Sequence, residues 1–310
     1  MAVYHLTEKL QGDYQYTIGP YTEPVLMVDP GDTIVIETRD AFGGKIINEQ
    51  TKPSQVVKFP YVNPLNGPIC VNGAEEGDAL KVHVRSIRPR GPQPRGTTCL
   101  FPFFGGLTST RKNPTLQEGL PEVVRKVEIT EKEILWSDRI HFPYDPFIGT
   151  IGTSPKIDSI NSQTPENHGG NMDLPDVRPG STLYLPVRIP GARLFLGDCH
   201  ATQGDGEVCG VAIEFSTVTT IEVDLAKSWP IEWPRVESDD FIMSIGSSRP
   251  MEDAARIAYM DLVSWMESDY GFDRYEAYLI LSQVARVRLG NMVDPNYTVG
   301  ASIKKQYLLR

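Results

Sequence analysis

The chain has 310 residues, 40% of them hydrophobic and 23% charged, with a formal net charge of −10. That length can bury a sizeable core, and the composition is ordinary for a globular protein. The acidic balance speaks against nucleic acid as a partner, because phosphate binding needs clustered Lys and Arg, and no run of 18 apolar residues offers a membrane span.

The opening "MAVYHLTEKLQGDY" lacks a basic start followed by an apolar run, so no secretory signal is expected there. "PGDTIVIE" (30–37), "EGDALKVH" (76–83) and "PGSTLYLP" (179–186) each run from a turn into alternating apolar side chains, the pattern of a strand with one face on a core. Further strands are expected at 122–129, 191–197 and 208–224, the last rich in β-branched residues. The span 141–179 has little periodicity and many turn formers, and reads as a long functional loop. Helices come late. In "RPMEDAARIAYMDLVSWMESDYG" (249–271), Ala254, Ala258, Leu262 and Trp265 share one face and Gly271 supplies a stop. Asp273 with Glu276 then makes a capping-box pattern ahead of "AYLILSQVARV". The expected fold is mainly β and sandwich-like with a C-terminal helical hairpin, α+β overall. It forms one unit over 1–310, with β subdomains around 1–140 and 141–225 and a helical portion at 248–290. The four cysteines (70, 99, 199, 209) are too few and scattered for a disulfide framework, so a thiol-reduced, cytoplasmic protein is the default.

Chemistry concentrates in "GDCHATQGDGEVCG" (197–210). In an extended strand, residues two apart share a face, so Asp198 projects with His200, and Asp205 with Glu207. "ATQG" can form the tip of a hairpin that brings the pairs together. Three carboxylates beside one imidazole repel unless a cation or a proton offsets them. Carboxylate and imidazole suit zinc, and a carboxylate-rich set also takes calcium or another divalent ion. Upstream, "ENHGGNMD" (166–173) adds His168, Asn171 and Asp173 around two glycines that let a ligand approach. The plainer alternative is a Gly-rich hairpin whose acids cap backbone amides.

"HGGNMD", "GSTLYLPV" and "GARLFLGDCHATQGDGEVCGVAIE" resemble the acetamidase/formamidase family, as do "NPLNGPICVNGAEEGDALKV" (63–82), "DAFGGKI" (40–46) and the tail "VDPNYTVGASI". Glu76 stands where that family's turn is expected to carry proline. The resemblance implies a β-sandwich-like fold, hydrolysis of a short aliphatic amide (formamide or acetamide type) to ammonia and a carboxylate, a divalent metal and self-association into a homo-oligomer. On that basis Asp198, His200 and Asp173 are the expected metal ligands, with zinc the expected ion. Glu207 is the expected proton carrier, Asp205 a further ligand or the group orienting the base, and His168 a proton carrier or ligand. Asn171, Gly170 and Asp40 are expected to touch the substrate, although Asp40 can equally cap its own turn.

Two other readings compete. A cysteine-nucleophile amidase would use Cys209, which shares parity with Asp205 and Glu207; Cys199 points the other way by strand alternation. A non-catalytic β-sandwich would use the acid cluster as a structural ion site. No G-x-S-x-G elbow is present, and His5, His83 and His141 read as surface or loop residues.

Overall fold

The computed structural model describes residues 1–108, 116 and 119–308. The alternating segments build a nine-stranded sheet in the order Val3–Leu6, Thr33–Glu37, Thr217–Ala226, Ala79–Pro89, Thr182–Pro186, Arg235–Glu237, Phe241–Ser248, Tyr297–Lys304 and Arg286–Leu289. Its longest pairing joins Thr217–Ala226 to Ala79–Pro89, antiparallel, with a register shift between Thr220 and Ile221. Thr33–Glu37 buries every second side chain, as its period-two pattern requires.

A five-stranded sheet, ordered Gly169–Asn171, Phe147–Thr153, Leu194–His200, Leu65–Val71 and Leu26–Val28, lies against the first. Ile34, Leu80, Val82, Leu183 and Ile221 from the large sheet share one core with Ile69, Ile148, Ile151, Leu194 and Leu196 from the small one. Two sheets with a common apolar interior make a sandwich. Every residue of Phe147–Thr153 and Leu194–His200 is buried, so both faces of these central strands are covered.

That burial explains the main departure from expectation. The span 141–179 is no continuous loop: it carries the strands Phe147–Thr153, Ile160–Asn161 and Gly169–Asn171. A strand covered on both faces needs no alternation, and "FIGTIGT" shows none. The boundaries at 140 and 225 do not separate sheets either. Ala79–Pro89 pairs directly with Thr182–Pro186 and with Thr217–Ala226, so strands from all parts of the chain interleave.

The helices Met251–Tyr270 and Arg274–Val284 follow the predicted pattern. Ala254, Ala258, Leu262 and Trp265 are buried, and the chain turns at Gly271 in the left-handed region (φ 68). The Asp273 side chain accepts from the Tyr275 and Glu276 amides, as an N-cap does. Among the described residues, no helix is long and apolar enough to cross a membrane.

Candidate active site

The site grows from one end of the small sheet. Phe147 pairs with His200 and Ile148 with Cys199, which sets Gly149 opposite Asp198 and Thr150 opposite Gly197. Thr150 also pairs with Asn171 on the other side. Strand alternation then works as expected. Cys199 joins the core between the sheets, whereas Asp198 and His200 share the other face with Asp173.

Asp198 Oδ2 accepts from Asn63 Nδ2 at 2.8 Å and from Thr150 Oγ1 at 3.0 Å. Asn171 is the hub. Its Oδ1 is hydrogen-bonded by Asn63 and Thr150, and its Nδ2 donates to Asp173 Oδ2 at 2.8 Å and Asp294 Oδ2 at 2.7 Å. An amide nitrogen has two hydrogens, so both are committed. Asn171 therefore positions carboxylates, and the substrate contact expected of it has no donor left.

His200 Nδ1 meets Gln203 Oε1 at 2.9 Å, and Gln203 is itself fixed by donating to the Asp173 and Gly290 carbonyls. That leaves His200 Nε2 facing Asp198 Oδ1 at 3.5 Å and Glu214 Oε2 at 3.3 Å. Glu214 is held by the Ala212 amide at 3.0 Å. Its carboxylate and that of Asp294 complete the cluster, and the sequence reading missed both.

The hairpin geometry accounts for this. Asp205 and Glu207 were expected to lie across from His200, but the bridge partner of His200 is Glu214, and Ala201 and Thr202 bond to Ile213. The return strand begins only at Thr217, so 208–216 is not regular strand. Asp205 points away, half exposed, and pairs with Arg288 at 2.7 Å. Glu207 reaches the cluster by another route, from a left-handed backbone (φ 47) that strand parity does not describe. The only sequence signal for Glu214 is a lone carboxylate inside the apolar run "VAIEF".

Four of the seven described non-glycine residues with positive φ belong to this site: Asn63 (φ 54), Asp173 (φ 46), Asp198 (φ 52) and Glu207 (φ 47). Strained backbone persists only where surrounding contacts over-determine it, and it gathers at functional sites. Gly149 completes the cradle. A Cβ there would lie 2.7 Å from Asp173 Oδ1 and 3.1 Å from Asp198 Oδ2, so no other residue leaves the two carboxylates room.

Electrostatics follow from burial. It raises the carboxyls of Asp173 and Glu207 well above the ordinary range, and those of Glu214 and Asp294 to about 7. For His200 burial acts downward, but the Glu214 and Asp198 carboxylates outweigh it and hold the imidazole well above its usual value. Asp173 Oδ1, Asp198 Oδ1 and Glu214 Oε2 are buried without a hydrogen-bond partner. One imidazole is too little positive charge for this many buried carboxylates, and a cation offsets that penalty. Ligand atoms of Asp173, Asp198 and His200 lie within 4.8 Å of one another, as do those of His200, Glu207 and Glu214. The mixed oxygen and nitrogen donor set thus fits a divalent cation.

Above the acids lies a cavity of about 40 Å³ roofed by Phe42, Phe59, Phe101 and Phe104. The remaining expected residues lie outside it. Asp40 Oδ1 accepts from the Phe42 and Gly44 amides, capping its own turn. Gly170 pairs with Ile151 within the sheet. His168 is 1% exposed, and neither ring nitrogen has a partner among the described residues. Burial lowers its pKa to about 4, so it is neutral at pH 7 and ill suited to carry protons. Cys199 and Cys209 also move the wrong way for a nucleophile, because burial raises both thiols.

His168 yields a stability prediction. Its pKa falls from 6.5 unfolded to about 4 folded, so the unfolded chain binds the extra proton between those values. The neutral ring's contribution is complete above pH 6.5 and lost as pH falls toward 4, by about 3 kcal/mol. His168→Leu should leave stability near pH 7 unchanged or higher, since two unpaired nitrogens disappear. Its advantage over the wild type should grow toward pH 4 in urea titrations; parallel pH profiles would refute this.

The chain matches the Acetamidase/Formamidase family model over residues 14–165 and 158–306. An acetamidase from Yersinia enterocolitica, known from its crystal structure, superposes with a TM-score of 0.98 at 56% identity, covering 99% of this chain and 93% of that one. A putative formamidase of Schizosaccharomyces pombe is 29% identical over 262 residues, 67% of this chain and 62% of its own length. A formamidase of Methylophilus methylotrophus is 27% identical over 251 residues, 66% of this chain and 61% of its own. The chain therefore spans less than two thirds of these two curated relatives. With a family match running over nearly its whole length, the chain belongs to the acetamidase/formamidase family.

Proposed function

We propose that this chain hydrolyses a short aliphatic amide, of formamide or acetamide type, to ammonia and a carboxylate, with a divalent cation, zinc first among the candidates. The observation that carries this reading is the set of three buried carboxylate oxygens without a hydrogen bond, two of which face only the single His200 Nε2, beside a small cavity lined by aromatic rings. The relatives named acetamidase and formamidase support the choice of substrate.

Asp173, Asp198 and His200 are the residues to hold the cation, whose chemistry there would be to polarise the amide carbonyl and acidify water. The chain's own groups do the rest. Glu207 borders the cavity, and burial among carboxylates raises its carboxyl, which makes it a stronger base than an ordinary glutamate. It takes the proton of the attacking water as the C–O bond forms, then delivers it to the nitrogen as the C–N bond breaks. Asn171, Asn63 and Thr150 keep the carboxylates in register, and Gln203 fixes which His200 nitrogen faces the site. The aromatic roof limits water, which strengthens each charge beneath it.

Ammonia release from formamide and acetamide, measured before and after chelation and again after restoring zinc, tests this. Chelation should remove at least about 90% of turnover and zinc should return it. Full turnover by protein shown to be metal-free by elemental analysis would defeat the cation's role. No turnover of any short amide by zinc-loaded protein would defeat the amidase reading.

A further inference from the structure

We propose that Phe104 sets the upper size of the acyl group this chain accepts, an inference that rests on the amide hydrolysis proposed above. The cavity over the carboxylates has room for about 40 Å³. One water needs about 10–15 Å³ on that measure, so a molecule of three or four heavy atoms fills it. A further methylene that grows toward the aromatic rings must displace one of them.

The four rings of the roof are not equivalent. Phe42 and Phe101 are 6% exposed and form a satellite core with Ile46, Val57 and Cys99. Shrinking either leaves a hole inside that core, whereas Phe104 packs on its outside. Phe59 lies at the rim, 38% exposed. Phe104 contacts both Phe59 and Phe101, with ring centroids 6.1 and 6.4 Å away, and packs on the loop that carries Glu207.

That packing is unusually close. A Cβ on Gly210 would lie 2.5 Å from Phe104 Cε1 and 2.6 Å from Cδ1, so the ring rests on bare backbone. Gly210 has φ +83, a conformation that only glycine adopts readily, and its amide donates to the Glu207 carbonyl at 2.6 Å. Gly106 N donates to Val208 O at 2.9 Å, which ties the two loops again. Phe104 and Glu207 are thereby held in one rigid unit. An acyl chain that grows toward the rings from a carbonyl within reach of Glu207 meets Phe104, which lines the same cavity and is backed by Gly210.

The test is kcat/KM for formamide, acetamide, propionamide and butyramide with zinc-loaded wild type, Phe104→Leu and Phe104→Ala. The butyramide-to-formamide ratio should rise at least about ten-fold in Phe104→Ala, with Phe104→Leu between it and wild type. Gly210→Ala, whose Cβ would collide with the Phe104 ring and displace it, should shift the acetamide-to-formamide ratio. A ratio unmoved in both Phe104 variants, or a parallel loss across all four amides, overturns the inference while wild-type turnover leaves the amidase reading standing. If wild type hydrolyses none of the four, that reading itself falls and this inference with it. If Phe104→Ala does not fold, the ratio in Phe104→Leu decides alone.

Discussion

Glu207→Gln is expected to lower kcat for ammonia release by about 10²–10⁴-fold, the range for removing a positioned general base. It should leave Tm unchanged or higher. Glu207 is 7% exposed and shares its surroundings with the carboxylates of Asp173, Glu214, Asp294 and Asp198. Burial and the neighbouring carboxylates raise its carboxyl, because they disfavour its charge, and glutamine removes that charge while keeping the shape. Repulsion within the cluster falls, so the protein loses chemistry without losing stability. Glu214→Gln separates the roles. Its carboxylate lies 3.3 Å from His200 Nε2 and is anchored by the Ala212 amide, so this change should act on cation affinity and on the imidazole. Steady-state kinetics with thermal melts on both variants check the pair. Near wild-type kcat in Glu207→Gln would move the proton-carrying role to Glu214.

The second large effect is expected from Asp198→Asn. One oxygen of Asp198 already accepts from Asn63 and Thr150, and the other has no hydrogen bond and faces His200 Nε2 at 3.5 Å. An amide keeps the shape and loses the buried negative charge. Cation affinity should fall at least about 100-fold, beyond the 10- to 100-fold typical of outer positions. Melting reads this without any activity assay. A cation present at 100 times its Kd stabilises the native state by about 2.7 kcal/mol, so zinc should raise wild-type Tm and leave Asp198→Asn almost unmoved. Equal zinc-induced shifts in the two proteins would remove Asp198 from the ligand set.

What the sequence determined by itself is the local part of this protein. Period-two alternation placed strands within 30–37, 76–83 and 179–186, where Thr33–Glu37, Ala79–Pro89 and Thr182–Pro186 form, because their faces differ in solvation; β-branched content placed one at 208–224, of which only Thr217 onward is strand. Cap and stop residues located the two helices, because those signals act within one turn. Motif likeness and two-residue spacing drew Asp198, His200 and Asp173 together, since they lie on or beside strands of a single sheet. Tertiary structure alone decided the rest. "FIGTIGT" is a central strand only because layers cover both its faces, a fact no local pattern encodes. Asp205 and Glu214 exchanged places because the chain bridges back onto His200 at Glu214, nine residues beyond the Asp205 that the tight turn implied. Asn63 and Asp294 reach the site from more than a hundred residues on the N-terminal side of Asp198 and from almost a hundred beyond it, through Asn171. Side-chain parity and caps depend on neighbours in the chain, whereas a buried charge cluster depends on which distant backbones the core forces together.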